Sequence, residues 1–133
     1  MPASRGLLDT SIFIATETGR AIEEGSLPER AAISVVTLAE LHVGVLAALD
    51  TATRARRLAT LEATAGIEAL PVDEDVAAAW ARLRVGLADA GLRSNVNDLW
   101  IAATALVHGV PVVTQDSGFE SIATLGEVAV IRV

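Results

Sequence analysis

A chain of 133 residues, 52% hydrophobic and 20% charged, with no cysteine, is sized for one domain with its own apolar core, which excludes disorder, disulfide staples and thiolate metal sites. The net charge of −7 at pH 7 is set against ten basic residues, all of them arginine. Nucleic-acid binding by counterion release alone is therefore disfavoured, and phosphate chemistry would require a divalent cation with a few placed arginines.

The chain alternates strand-like and helix-like segments, without repeats or low-complexity tracts, beyond a short tail at 1–5. Gly6 to Asp9 is predicted as a strand, followed by a helix over Ser11 to Glu17 that Gly19 stops. Ala31 to Val36, rich in β-branched residues, is a second strand, and Thr37 to Asp50 an apolar helix. Thr51 to Ala65 is a helix carrying Arg54, Arg56 and Arg57 on a solvated face, ended by Gly66, and Ile67 to Val72 is a strand. Asp73 caps a helix whose Val76, Ala79, Trp80, Leu83 and Leu87 recur at helical spacing, with Gly91 as its stop. Asn97 to His108 is a further helix ended by Gly109. Val110 to Thr114 and Val128 to Arg132 are the last strands, separated by a loop or short helix. This alternation predicts a single α/β domain over 1–133 with about five strands in a mainly parallel sheet, flanked by helices on both faces.

Asp9 interrupts the apolar start after two leucines, so no signal peptide is expected. The uncharged stretch Leu99 to Gln115 is shorter than a spanning helix and broken by Gly109 and Pro111. With no cysteine, a reducing, cytoplasmic location is expected. A mean hydropathy of +0.49 is high for an acidic chain, and some apolar surface is expected to meet a partner.

In open parallel sheets, ligands bind beyond the carboxyl ends of the strands. Four acids are predicted there: Asp9 closing the first strand, Glu40 in the first turn of the helix after the second, Asp98 at the start of the helix before the fourth, and Asp116 directly after the fourth. Each also has an ordinary explanation. Thr37 and Glu40 fit a capping box, Asp98 fits a first-turn acid behind an Asn97 cap, and Asp9 and Asp116 fit turn residues. Those explanations do not account for four segments delivering carboxylates to one edge of a chain without lysine. Two carboxylates about 4 Å apart repel by roughly 4 kcal/mol at an effective dielectric near 20, so a cluster implies a cation or a shared proton. An all-oxygen set suits Mg²⁺ or Mn²⁺; the two histidines, His42 and His108, cannot build a zinc site alone. His42, two positions from Glu40, is expected to face away from it, and Trp80 and Trp100 are assigned to the core.

Four segments together resemble the PIN domain, and specifically the VapC-type toxins of toxin-antitoxin pairs. They are Leu7-Leu8-Asp9-Thr10-Ser11, Ile33-Ser34-Val35-Val36-Thr37-Leu38-Ala39-Glu40-Leu41, Asn97-Asp98-Leu99-Trp100-Ile101-Ala102-Ala103 and Val112-Val113-Thr114-Gln115-Asp116. The resemblance implies a PIN-like fold and a metal-dependent, single-strand-selective endoribonuclease. Asp9, Glu40, Asp98 and Asp116 would be its acidic quartet, supported by Ser11, Thr114 and Asn97. It also implies dimerisation and inhibition by a small VapB-type antitoxin whose tail enters the acidic site. Two positions depart from the usual pattern: a second acid often follows the fourth by two residues, where this chain has Gly118, and the frequently basic position 115 is Gln115. Arg93 is a candidate RNA contact. A phosphoacceptor domain is disfavoured by the missing lysine, and dinucleotide, P-loop, zinc-protease and serine-hydrolase motifs are absent. The alternative from another class is an inactive PIN-like module that binds a protein partner through its apolar helices.

Overall fold

The computed structural model describes residues 3–133, so that Met1 and Pro2 of the expected tail lie outside the described residues, while Arg5 already belongs to the sheet. Five strands, β1 (Arg5–Leu8), β2 (Arg30–Ser34), β3 (Glu68–Leu70), β4 (Val112–Thr114) and β5 (Val130–Arg132), form one sheet in the order β3-β2-β1-β4-β5. Every adjacent pair is parallel. Six helices connect them: α1 (Thr10–Thr18), α2 (Val35–Leu46), α3 (Thr51–Glu62), α4 (Glu74–Asp89), α5 (Val96–His108) and the short α6 (Glu120–Thr124). The expected α/β class, parallel sheet and strand count are all found.

Side chains on successive strand residues point to opposite faces, and the sheet uses both. Leu7, Ala32 and Val112 join Val76, Leu83 and Leu87 of α4, Ile101 and Ala105 of α5 and Ile122 of α6 in one apolar cluster. Their neighbours Leu8, Ile33 and Val113 join Ile12 and Phe13 of α1 and Leu41 of α2 in the other. This two-sided burial explains why the strands read as continuous apolar runs rather than alternating ones. Trp80 and Trp100 stack with ring centroids 4.9 Å apart between α4 and α5, packed against the first cluster as expected. Among the described residues no helix is long and apolar enough to cross a membrane.

The helix starts differ from the expected ones in an informative way. α2 begins at Val35, with Ser34 as its cap: the Ser34 hydroxyl oxygen accepts from Val36 N at 3.0 Å. Thr37 is thus inside the helix, Glu40 lies in its second turn, and the capping box is not formed. α5 is capped by Asn95, whose Oδ1 accepts from Asn97 N at 2.8 Å and Asp98 N at 3.3 Å. Asn97 is therefore the second helical residue rather than the cap. Asp73 does cap α4, accepting from Val76 N at 3.0 Å.

The strand order places β1 at the centre. The chain runs outward from β1 through β2 to β3 on one side, then returns over α4 and α5 to lay β4 on the other. The boundary between β1 and β4 is the topological switch point, where loops leave in opposite directions and open a crevice at the carboxyl edge. Close packing beneath it leaves no room at Gly6 in β1, where an added Cβ would lie 2.9 Å from Val113 Cγ2 and 3.0 Å from Pro28 Cγ. Neither a buried valine nor a proline ring yields cheaply. Gly6→Ala is expected to cost about 1–3 kcal/mol in urea unfolding, whereas Gly66→Ala, with nothing within 4 Å of the new carbon, should change stability by less than about 0.5 kcal/mol.

Candidate metal and phosphodiester site

Asp9, Glu40, Asp98 and Asp116 line one cleft at the carboxyl edge of the sheet, a cavity of about 190 Å³ that Thr10, Ser11, Ile14 and Arg20 complete. The four acids come from four separated segments, each delivered by a local feature. Asp9 sits where β1 ends and α1 begins and also caps α1, its Oδ2 accepting from Ser11 N at 3.3 Å. Glu40 projects from the second turn of α2, Asp98 from the first turn of α5, and Asp116 follows β4 by two residues at the start of the 3₁₀ turn Ser117–Phe119.

Two hydroxyl relays hold the inner carboxylates. Thr114 is fully buried and donates from Oγ1 to Asp9 Oδ2 at 2.9 Å, while the same oxygen accepts from Asp116 N at 3.0 Å. With its one proton given to Asp9, Thr114 can only accept at its 3.1 Å contact with Ser11, so Ser11 Oγ is the donor there. Ser11 Oγ in turn accepts from Gln115 N at 2.9 Å. The network ties the end of β1 to the end of β4 and leaves Asp9, only 3% exposed, as a carboxylate stabilised by donors. In the second relay Thr10 Oγ1 lies 2.7 Å from Glu40 Oε1 and 3.1 Å from Thr37 Oγ1. The carboxylate is the stronger acceptor and takes the larger share of the Thr10 proton, with the buried Thr37 hydroxyl oxygen as its second partner.

Asp98 reveals the field these groups create. Its carboxyl is pushed up to about 6, first by burial and then by the negative charges of Asp9, Glu40 and Asp116. All three other acids are close enough to act on it. Among the described residues no three of them already stand as a closed ligand cluster; they frame an open cleft in which hydroxyl partners hold Asp9 and Glu40. In Asp9 and in Glu40 one oxygen is engaged by a hydroxyl and the second is left for a ligand. An all-oxygen, net-negative set of this kind fits a hard divalent cation and offers nothing to a soft one.

The supporting residues divide. Ser11 and Thr114 are both in the relay, whereas Asn97 is exposed on the α5 surface. Arg93 is outside the acidic cleft, lining a separate depression with Arg84, Leu92 and Ser94. Three contributors were not foreseen: Thr10, Thr37 and Arg20. Thr10 directly follows Asp9, and its hydroxyl was the available signal. The loop after Asp116 also takes shape. Phe119 is buried in the apolar core and draws Gly118 against the site, where an added Cβ would lie 3.0 Å from Asp98 Oδ2.

A family model described as PIN domain matches residues 6–125. Ribonuclease VapC5 of Mycobacterium tuberculosis is 57% identical over 128 residues, covering 96% of this chain and 95% of the relative. Ribonuclease VapC4 of the same organism is 42% identical over 133 residues, covering 100% of both chains. Among solved structures, VapBC-5 from Mycobacterium tuberculosis, a member of the VapBC family of toxin-antitoxin systems, matches with a TM-score of 0.91 and 53% identity, covering 98% of this chain and 99% of that one. DNA-bound VapBC from Salmonella typhimurium matches with a TM-score of 0.78 and 26% identity, covering 98% and 97%.

The raised Asp98 pKa carries a stability consequence with a definite sign. The folded state holds this proton more tightly than the unfolded chain, whose carboxyl titrates near 3.8, so the ionised group costs stability that is lost as pH rises from about 4 to about 6. Asp98→Asn removes that cost. In thermal or urea unfolding with chelator present, the variant should be more stable than the parent at pH 8 by on the order of 1–2 kcal/mol, a discounted figure for a half-buried group. The difference should vanish toward pH 4.

Proposed function

Because this chain belongs to the PIN domain family, we propose that its acidic cleft is the active site of a metal-dependent endoribonuclease, the toxin of a toxin-antitoxin pair. The observation that carries the assignment is the convergence of four carboxylates, from four separated segments, on one cleft at the switch point. Ribonuclease names and toxin-antitoxin complexes among the relatives supply the substrate class and the biological setting.

Asp9, Asp98 and Asp116 are the proposed ligands for Mg²⁺ or Mn²⁺, with Glu40 either completing that set or orienting the attacking water. When bound, such an ion polarises the phosphodiester and lowers the pKa of the attacking water. The protein's part is placement. The Ser11–Thr114 relay fixes one oxygen of Asp9 and leaves the other free for an ion. The Thr37–Thr10 relay fixes Glu40 in the same way, so its second oxygen can accept a proton from water at a defined position.

A small VapB-type antitoxin is the proposed inhibitor, and the toxin itself is proposed to dimerise. An apolar depression of about 520 Å³ between α1 and α3, lined by Leu8, Ile12, Phe13 and Ala59, offers such a partner a docking surface. So do the exposed Val43 and Leu46 of α2.

Asp9→Asn tests the assignment. The amide retains an oxygen for Thr114 and Ser11 N, so the fold should survive with its circular dichroism spectrum unchanged. RNA cleavage in Mn²⁺ should fall by about 10²-fold or more, the usual scale for removing a group that stabilises developing charge, and the rise in melting temperature that Mn²⁺ gives the parent should disappear. Cleavage at near-parent rate in a preparation free of other nucleases would refute the assignment.

A further inference from the structure

Arg20 is a basic residue in the wall of a cleft otherwise dominated by acids. It follows Gly19, which closes α1 at φ 75° in a Schellman turn, with Gly19 N reaching Thr16 O at 3.4 Å and Arg20 N reaching Ala15 O at 2.8 Å. The next residue is tied as well: Gln115 Nε2 donates to Ala21 O at 2.7 Å and to Val133 O at 2.8 Å. The same Gln115 donates its backbone N–H to Ser11 Oγ. The backbone of Arg20 is thereby held on both sides, and one anchor runs into the relay beneath Asp9.

With four carboxylates in the same cleft, an arginine would be expected to pair with one of them. It does not: neither ion pair found among the described residues involves Arg20, and it is absent from the charges that act on Asp98. Arg20 is exposed and its charge is not consumed by the acids. It stands at the rim, where an RNA phosphate entering an acidic cleft of a chain with net charge −7 most needs a cation on its solvent side. A planar guanidinium suits that contact.

Building on the ribonuclease reading above, we propose that Arg20 grips a backbone phosphate of the RNA strand as it enters the acidic cleft, and that Gln115 is the positioning residue that holds Arg20 there. A phosphate contact carries no base information. Arg20 therefore supplies affinity uniformly across RNA sequences, and cleavage-site choice is made elsewhere.

The test measures binding of a labelled single-stranded RNA by fluorescence anisotropy in Ca²⁺, over roughly 50–200 mM salt, beside the Mn²⁺-induced rise in melting temperature. Arg20→Ala should bind about tenfold more weakly, by the same factor on RNAs of different sequence, with a salt slope shallower by about 0.7. Arg20→Lys should recover most of the affinity, and Gln115→Ala should reproduce part of the loss. Mn²⁺ stabilisation should be retained in all three, because none removes a carboxylate. Equal affinity and equal salt slope in Arg20→Ala and the parent overturn the proposal. Parallel loss of RNA binding and Mn²⁺ stabilisation also overturns it, since that marks a structural role. Asp9→Asn separates the two ideas: if it still cleaves RNA while Arg20→Ala binds weakly, the catalytic assignment fails and the phosphate grip stands. A parent chain that binds no RNA overturns both.

Discussion

Negative charge converging on the junction of β1 and β4 is the constraint around which the rest of this molecule is arranged. A carboxylate as buried as Asp9 is tolerated only with donors aimed at it, and the fold supplies them from the Ser11 backbone N–H nearby and from Thr114, on a strand more than a hundred residues away in sequence. On Asp98, burial first and then the negative charges of Asp9, Glu40 and Asp116 raise the proton affinity. The cleft is thus strained in charge rather than in backbone: among the described residues no non-glycine residue has positive φ and no peptide bond is cis. Electrostatic strain of this type is released by a ligand of opposite sign, which is how an active site can be preorganised for a cation without a distorted chain.

Much of the architecture was legible because the signals were local or periodic. Short apolar runs marked the strands, Gly19, Gly91 and Gly109 marked helix ends at positive φ, and Asp73 marked the start of α4. The quartet was legible for a different reason. Each acid sits at a strand end or in an early helical turn, positions that the parallel topology brings to one edge. Helix starts were less readable. Ser34 and Asn95 lie immediately before apolar valines that fit a strand or loop as well as a first helical turn, so the caps were placed at Thr37 and Asn97, three and two residues late.

What could not be read were the contacts between distant segments. Nothing in the local sequence pairs Ser11 with Thr114, or Thr10 with Glu40, and a threonine beside an aspartate is unremarkable until the two strands are docked. Arg93 drew notice because it precedes the Asp98 helix in sequence, yet the turn before α5 directs it to a different depression. Arg20 drew none, since proximity to Asp9 arises only after α1 has run outward and the chain has doubled back at Gly19. Gln115 is a further case. In sequence it is only a departure from the usual pattern, and in the fold it is a clamp on two carbonyls.

The relay between β1 and β4 also unites two properties that proteins often keep separate. Those strands share only the register pairs Leu7 with Val112 and Leu8 with Val113, and the polar network continues the seam where the ladder stops. The groups that aim the Asp9 carboxylate are the same groups that weld the two wings of the sheet. A lineage drifting toward a silent scaffold could not simply discard its chemistry. It would first have to re-stitch its own midline.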